Sequence, residues 1–494
     1  MADFERETTS MAIPLLKRRL ILIEELQVID EVNCHDSLIG QKTLIIITKT
    51  TGRYFKMLRN LILMLLGAVI GITGVVATTP VVEADEQFIP MLVYRTGPYA
   101  PSGIPVANGF RDYYTMINNR DGGINGVKIT FEECETEYNT KLGVECYEKL
   151  KNKGSTGASL VNPFSTGITY QLIPKASVDE VPILSMGYGR TAAADGRVFK
   201  WVFNFPTTYW SQASAFIRYV AQQEGGEKNL KGKKIAHVYH NSAYGKEANP
   251  TLQALSKKYG YELVLLAVDH PGQEQKATWL QIRRAKPDWV FMSGWGVMNQ
   301  VAIKEAASIR YPMDHFVGNW WSGSDADVVP AAAGAKGYKS ATFHSPTSDY
   351  PVHSDIIKHV YGGDMSKAKK NSFGEVLYNR TIVNAMFAVE AIRTAQAKYG
   401  NRALTGAEVR WGLENLNITE NRLKEMGMEG FTKPVKVSCS DHETGGPIII
   451  QQWDGSKWNI VSDWVSPIRE VVRPMVEKAA AAYATENGIK PRSC

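Results

Sequence analysis

The sequence predicts an α/β protein of two successive lobes, each a mostly parallel β-sheet covered by helices. Three observations carry that expectation. From Gln87 onward, short apolar runs of strand length alternate with helix-length amphipathic segments. That alternation restarts near Lys233, which implies two sheets rather than one enlarged domain. Alternating β and α elements place helices on both faces of parallel strands.

The elements follow in order. Phe88–Tyr94 (FIPMLVY) reads as a buried strand, the loop TGPYAPSG follows, and VANGFRDYYTMINN is helical with Phe110, Tyr113, Tyr114 and Ile117 on one face. Gly122 and Gly123 stop that helix, and Asn125-Gly126 turns the chain into a second strand, VKITFEE. A helix from Lys141 to Lys151 leads to ASLVN as a third strand. The loop PFSTG, the helix ITYQLIPKASVD and the strand PILSM complete the first set. In the second set KKIAHVYH, YELVLLAV, DWVFMSG and HFVGNWW are strands, with ATWLQIRRA among the intervening helices. SATFHS reads as a further crossing strand, and a long helix from Val376 ends at Gly400. PIIIQQW and WNIVSDW flank Asp454-Gly455-Ser456-Lys457 as a hairpin, and a terminal helix begins near Pro474.

The N-terminal region speaks to the compartment. Leu61–Ala77 is uncharged and apolar, preceded by Arg53, Lys56 and Arg59 and followed by Val82-Glu83-Ala84. This is the n-, h- and c-region order of a signal peptide spanning 57–84, with cleavage after Ala84 and a periplasmic destination. A transmembrane anchor is the alternative. The stretch is interrupted by Gly67, Gly71 and Gly74 and is short for a bilayer core of ~30 Å. Residues 1–56 show no domain-like pattern, and translation is expected to start at Met57.

Of the five cysteines, cleavage would remove only Cys34. Cys134, Cys146, Cys439 and Cys494 remain, an even number suited to an oxidising compartment. The expected pairs are Cys134–Cys146, tying a strand end to the next helix, and Cys439–Cys494, with free buried thiols as the alternative. Net charge is +6, without runs of Lys or Arg, which argues against a nucleic-acid partner.

In its mature part the chain resembles the type I periplasmic binding proteins, in particular the leucine/isoleucine/valine-binding branch. The residues that carry the resemblance are Thr96-Gly97-Pro98-Tyr99-Ala100, Ile117-Asn118 and Asp121-Gly122-Gly123-Ile124-Asn125-Gly126, followed by Val181-Pro182-Ile183, Tyr244-Gly245 and Lys286-Pro287-Asp288. They occur in order over nearly all of 87–465. The resemblance implies two Rossmann-like lobes joined by three crossovers, ligand held in the cleft, and delivery to permease subunits of an ABC importer in the inner membrane. The expected division is lobe one at 85–205 plus 343–430, lobe two at 206–342 plus 431–467, and a C-terminal helix and tail at 468–494. A monomer without cofactor is expected.

In such a fold, ligands sit beyond the carboxyl ends of strands, where helix N-termini favour anions. Ser165 and Thr166, beside Phe164, are the expected carboxylate donors; an N-cap role is the structural alternative for Ser165. Ser185 and Tyr188 form another wall, with Tyr99, Tyr209, Tyr244, Trp295 and Trp320 supplying aromatic surface. The amino-acid-binding members resemble one another in holding the α-ammonium with acids. The corresponding places here read Phe205-Pro206-Thr207-Thr208-Tyr209 and Gly318-Asn319-Trp320-Trp321, without Asp or Glu. An unpaired buried ammonium costs several kcal/mol. The expected ligand is therefore a small carboxylate with an aromatic or apolar body, such as a benzoate- or cinnamate-like acid. Nearby Asp325 could restore the missing charge, so an amino acid or amide is the alternative ligand.

Other chemistry is set aside. Cys439 and His442 lack a second ligand pair at zinc spacing, no GxGxxG is complete, and no GxSxG elbow or P-loop occurs. No catalytic residue is expected. A sensing module for a membrane receptor is the closest rival to transport.

Overall fold

The computed structural model of the chain describes residues 86–494. The expected signal peptide, its cleavage site, the upstream stretch and Cys34 lie outside the described residues.

The first sheet is built from β1 (Glu86–Val93), β2 (Lys128–Glu135), β3 (Ile183–Leu184) and β4 (Val202–Phe203). β1 pairs in parallel with β2, and β3 with β4. Between these pairs lies the ASLVN segment, which joins through single parallel bridges, Met91 to Asn162 and Val161 to Ile183, rather than forming the full strand its composition suggests. The Ser159 hydroxyl and amide both bond to the Phe88 carbonyl, so the segment docks on β1 partly through a side chain. Helices α1 (Ala100–Asp121), α2 (Thr140–Leu150) and α3 (Thr166–Asp179) cover this sheet. α1 ends where Gly122 takes a φ of 72°, a left-handed stop that glycine accepts without steric cost.

The chain then passes through α4 (Tyr209–Gln223) into a second sheet, whose parallel strands are connected by α5 (Asn249–Tyr259), α6 (Lys276–Ala285) and α7 (Val297–Ser308). Its strands are β5 (Lys234–His240), β6 (Glu262–Val268), β7 (Trp289–Ser293), β8 (Phe316–Gly318), β9 (Lys339–Thr342), β10 (Ile449–Trp453) and β11 (Trp458–Ile460). The order across the seven-stranded sheet is β11-β10-β9-β8-β7-β5-β6. β5 to β9 run parallel; β10 and β11 form the expected antiparallel hairpin, with Trp453 opposite Trp458. Between β9 and β10 the chain returns to the first sheet's side as α8 (Pro351–Tyr361) and α9 (Val376–Tyr399), both packed on α1. α10 (Arg469–Glu486) closes the fold.

The chain thus passes between the two sheets three times, as the fold class requires, and the connections lie side by side. Asn204 N–H donates to the His442 carbonyl, Gly446 N–H to that of Pro206, and His344 bridges Thr432. His442 is fully buried, its Nδ1 lies 2.7 Å from the Val202 carbonyl, and its ring stacks on Phe203 at 4.1 Å. Its Nε2 lies 3.4 Å from Glu414 Oε1, so both ring nitrogens have partners within the protein. Both expected disulfides, Cys134–Cys146 and Cys439–Cys494, are present.

α9 is the most buried long helix of the fold. From Val376 to Ile392 every residue is buried, as expected of a helix that is apolar around most of its circumference. Asn379, Arg380, Thr381 and Asn384 interrupt that apolar surface.

Candidate functional site

The loops at the carboxyl ends of the two sets of strands face one another, and the aromatic residues picked out in the sequence lie on them. Tyr99, Phe164, Tyr188, Tyr209, Tyr244, Trp295 and Trp320 are all at most 4% exposed. After β8, the Trp320 ring stacks on Tyr209 at 5.3 Å, and Trp321 stacks on Tyr188 at 4.4 Å. Trp295, after β7, meets Trp321 edge-on at 5.3 Å and Tyr94 at 6.1 Å. Tyr209 also contacts Tyr244 at 5.3 Å, and Phe164 packs edge-on to Tyr188 at 6.1 Å. The ring contacts form two groups, Tyr94, Phe164 and Tyr188 from the first sheet's side with Trp295 and Trp321 from the second, and Tyr209 with Tyr244 and Trp320, and each stacked or edge-on pair adds about 0.5–1.5 kcal/mol.

Polar contacts close the same space. The indole N–H of Trp320 donates to the Gly187 carbonyl at 2.9 Å, and that of Trp321 donates to the same oxygen at 2.5 Å. Gly187 has a φ of 74°, and a Cβ there would sit 2.9 Å from the Trp321 ring, so a glycine is needed for both conformation and space. The Tyr99 hydroxyl shares hydrogen bonds with His240 Nε2 at 3.0 Å and His270 Nδ1 at 2.7 Å. Burial, with His270 nearby, pushes His240 down to about 4. Glu247 accepts from the hydroxyls of Tyr170 and Thr191 and from the Thr191 amide, and burial raises its pKa.

The hydroxyl residues sit where the sequence places them, with defined partners. Ser165 caps α3, its Oγ accepting from Ile168 N–H at 3.4 Å. Thr166 Oγ1 accepts from Gly189 N–H at 3.2 Å, and Ser185 Oγ donates to the Gly189 carbonyl at 3.1 Å. Tyr244 donates to the Gly294 carbonyl at 2.8 Å and accepts from Asn319 Nδ2 at 2.8 Å. At the mouth of this space is a cavity of about 500 Å³, lined among others by Tyr99, Tyr138, Ser165, His240, Tyr244 and His270. That volume is in the range of small-molecule sites.

Two acids that follow β8 are hydrogen-bonded within the protein. One oxygen of Asp325 accepts from Val376 N–H at the start of α9. Asp327 accepts from Asn299 and from the amide and hydroxyl of Ser324, and burial pushes it up to about 7.

Sequence reasoning missed Tyr138, His270 and Arg380. Tyr138 (φ 60°) and His270 lie in loops without periodic signal. Arg380 is fully buried on α9, its guanidinium 5.0 Å from the Trp321 ring centre and 5.1 Å from that of Phe343. Its one sequence signal is a cation set in a helix that is apolar around most of its circumference.

Comparison with known proteins places the chain. A family model described as periplasmic binding protein matches residues 86–457. A crystal structure described as an ABC transporter permease from the Pseudomonas fluorescens group is 46% identical, with TM-score 0.78, covering 83% of this chain and 100% of that one. A solute-binding protein from R. palustris in complex with benzoate is 16% identical, with TM-score 0.61, covering 77% and 97%. A branched-chain amino acid ABC transporter protein from Thermus thermophilus with bound valine is 21% identical, with TM-score 0.63, covering 78% and 99%. At these lower identities the likeness is one of fold. A search of curated proteins returns no match.

Proposed function

The chain belongs to the periplasmic binding protein family, and from that premise we propose that it captures a small carboxylate with an aromatic or apolar body and delivers it to the permease of an ABC importer. The observation that carries this reading is the stacking of Tyr188 on Trp321, with Trp295 edge-on to it, next to the Trp320–Tyr209 stack, the two indoles sharing the Gly187 carbonyl. A flat apolar ligand body gains most from such rings. The places after the first crossover and after β8 that hold acids in amino-acid binders offer none here. A zwitterion would leave its ammonium unpaired, at a cost of several kcal/mol. The benzoate bound by the R. palustris protein and the fatty acid named for a Thermomonospora curvata relative of this fold are both carboxylates, which is compatible with this ligand class.

The binding residues in this reading are Tyr99, Phe164, Ser165, Thr166, Ser185, Tyr188, Tyr209, Tyr244, Trp295 and Trp320. Lobe one comprises 85–205 and 343–430, lobe two 206–342 and 431–467, and they hinge at the three connections. Capture is a closure: ligand in the cleft favours the arrangement in which Trp320 and Trp321 reach Gly187, because only that arrangement contacts it from both sides. The protein acts as an exported monomer, with the segment ending at Ala84 as its leader. It performs no chemistry on its ligand.

A thermal-shift screen of the mature chain against benzoate, cinnamate, leucine, benzamide and succinate tests the reading. A ligand present at a hundred times its Kd adds about 2.7 kcal/mol of stability by mass action. The expected result is a rise with the aromatic acids; a rise with leucine alone would refute the ligand class.

A further inference from the structure

We infer that Arg380 is the counter-charge for the ligand's anionic group, so that binding strength depends on a carboxylate meeting this one guanidinium; the inference rests on the proposed ligand class. Arg380 has no exposed surface. Its Nε donates to His344 Nε2 at 3.2 Å and one terminal nitrogen to Thr342 Oγ1 at 3.1 Å. The other terminal nitrogen, Nη1, is buried and meets no acceptor. No described carboxylate forms an ion pair with it, and both of its partners are neutral. A guanidinium carries five donors and strongly resists losing its proton, so burial without an anion is costly. Burial pushes this group down to about 9.

The surroundings identify what would satisfy it. The guanidinium lies over Trp321, whose ring contacts both Tyr188 and Trp295 of the proposed ligand surface. Trp295 Nε1 and the Tyr209 hydroxyl are themselves buried without partners. One turn along α9, on the same face as Arg380, Asn384 has neither its Nδ2 nor its Oδ1 paired. Phe387, further along, meets Phe205 edge-on at 5.1 Å, which brings the first connection against this helix. Asn204 in that connection is likewise unpaired at both side-chain atoms. A buried cation with a free donor, set against flat rings and near further unpaired polar groups, fits an anionic acceptor carried on an aromatic body. An ammonium group would add repulsion instead. Arg, more than Lys, suits this role, because its planar fork can hold a carboxylate through two bonds and still stack on an indole.

The test is calorimetry of the mature chain and of Arg380→Met and Arg380→Lys with benzoate and with benzamide, its neutral match. Wild type is expected to bind benzoate at least about 30-fold more tightly than benzamide. Arg380→Met should weaken benzoate by about 100-fold or more while leaving benzamide within about threefold, and Arg380→Lys should recover part of the loss. Unchanged benzoate binding by Arg380→Met overturns the role of Arg380 and leaves the carboxylate reading standing. Binding of benzamide or leucine but not benzoate by wild type overturns the carboxylate reading, and the inference falls with it. Should none of the probes bind, melting of the ligand-free protein decides the matter independently. A group held for a ligand can be replaced by Met with a change of no more than about 3 °C, whereas a fall of more than about 10 °C marks the guanidinium as structural and overturns the inference.

Discussion

Trp320 and Gly187 join the two sides of the cleft: the indole N–H, on a loop after β8, donates to a carbonyl on the loop after β3, 2.9 Å away. The neighbouring Trp321 uses the same oxygen. Replacing Trp320 by Phe keeps most of the ring stacked on Tyr209 and removes the donor. One neutral hydrogen bond contributes about 0.5–1.5 kcal/mol, so ligand affinity should fall by about two- to twelvefold. Stopped-flow fluorescence should assign most of that loss to faster release, since in the proposed closure the bond holds the closed arrangement.

A second prediction concerns Ser165. Its hydroxyl oxygen caps α3, so Ser165→Ala should cost about 1 kcal/mol in urea unfolding without ligand. If the same hydroxyl also donates its proton to the ligand carboxylate, calorimetry should show a further affinity loss of about 1.5–3 kcal/mol. A stability loss with unchanged affinity would confine Ser165 to the cap.

The disulfides give a third. Cys439–Cys494 closes a separation of 55 residues and ties the chain end to the third connection. Chain entropy alone gives such a loop about 4 kcal/mol, and Cys494→Ser should lower the melting temperature accordingly. Alkylation of the denatured, unreduced protein should label none of Cys134, Cys146, Cys439 and Cys494; labelling of all four would refute both bridges.

The histidines set a pH dependence. Burial lowers His240 from its ordinary 6.5 to about 4. A depressed folded-state pKa means the unfolded chain binds the proton first. The stability this group contributes is therefore complete above about 6.5 and is lost as pH falls toward about 4. His237, His344 and His353 are shifted in the same direction by burial. Urea stability should therefore decline from pH 6.5 to 4, and His240→Gln should reduce proton uptake on unfolding by about one near pH 5.

Much of this fold was legible because buried parallel strands leave continuous apolar runs. FIPMLVY, KKIAHVYH and DWVFMSG all lie on strands of the two sheets. ASLVN misled because it is buried and β-prone yet pairs only through isolated bridges. The proposed aromatic residues came together because each lies on the segment that leaves a strand or, for Phe164, the ASLVN bridge, a position that sequence can locate. Arg380 follows no such rule: it lies within a helix, and its place over Trp321 depends on how α9 packs in the fold. Tyr138 and His270 were equally hidden, since a loop residue's direction depends on backbone angles that its neighbours do not encode.

The ligand class is the central claim, and calorimetry of the mature chain with benzoate and leucine in the same buffer tests it most directly. The account predicts benzoate binding at about micromolar Kd or tighter, with leucine at least about a hundredfold weaker, the affinity equivalent of one unpaired buried ammonium. Tight leucine binding that is lost on Asp325→Asn or Glu247→Gln would contradict it, placing an acid on the ammonium and an amino acid in the cleft.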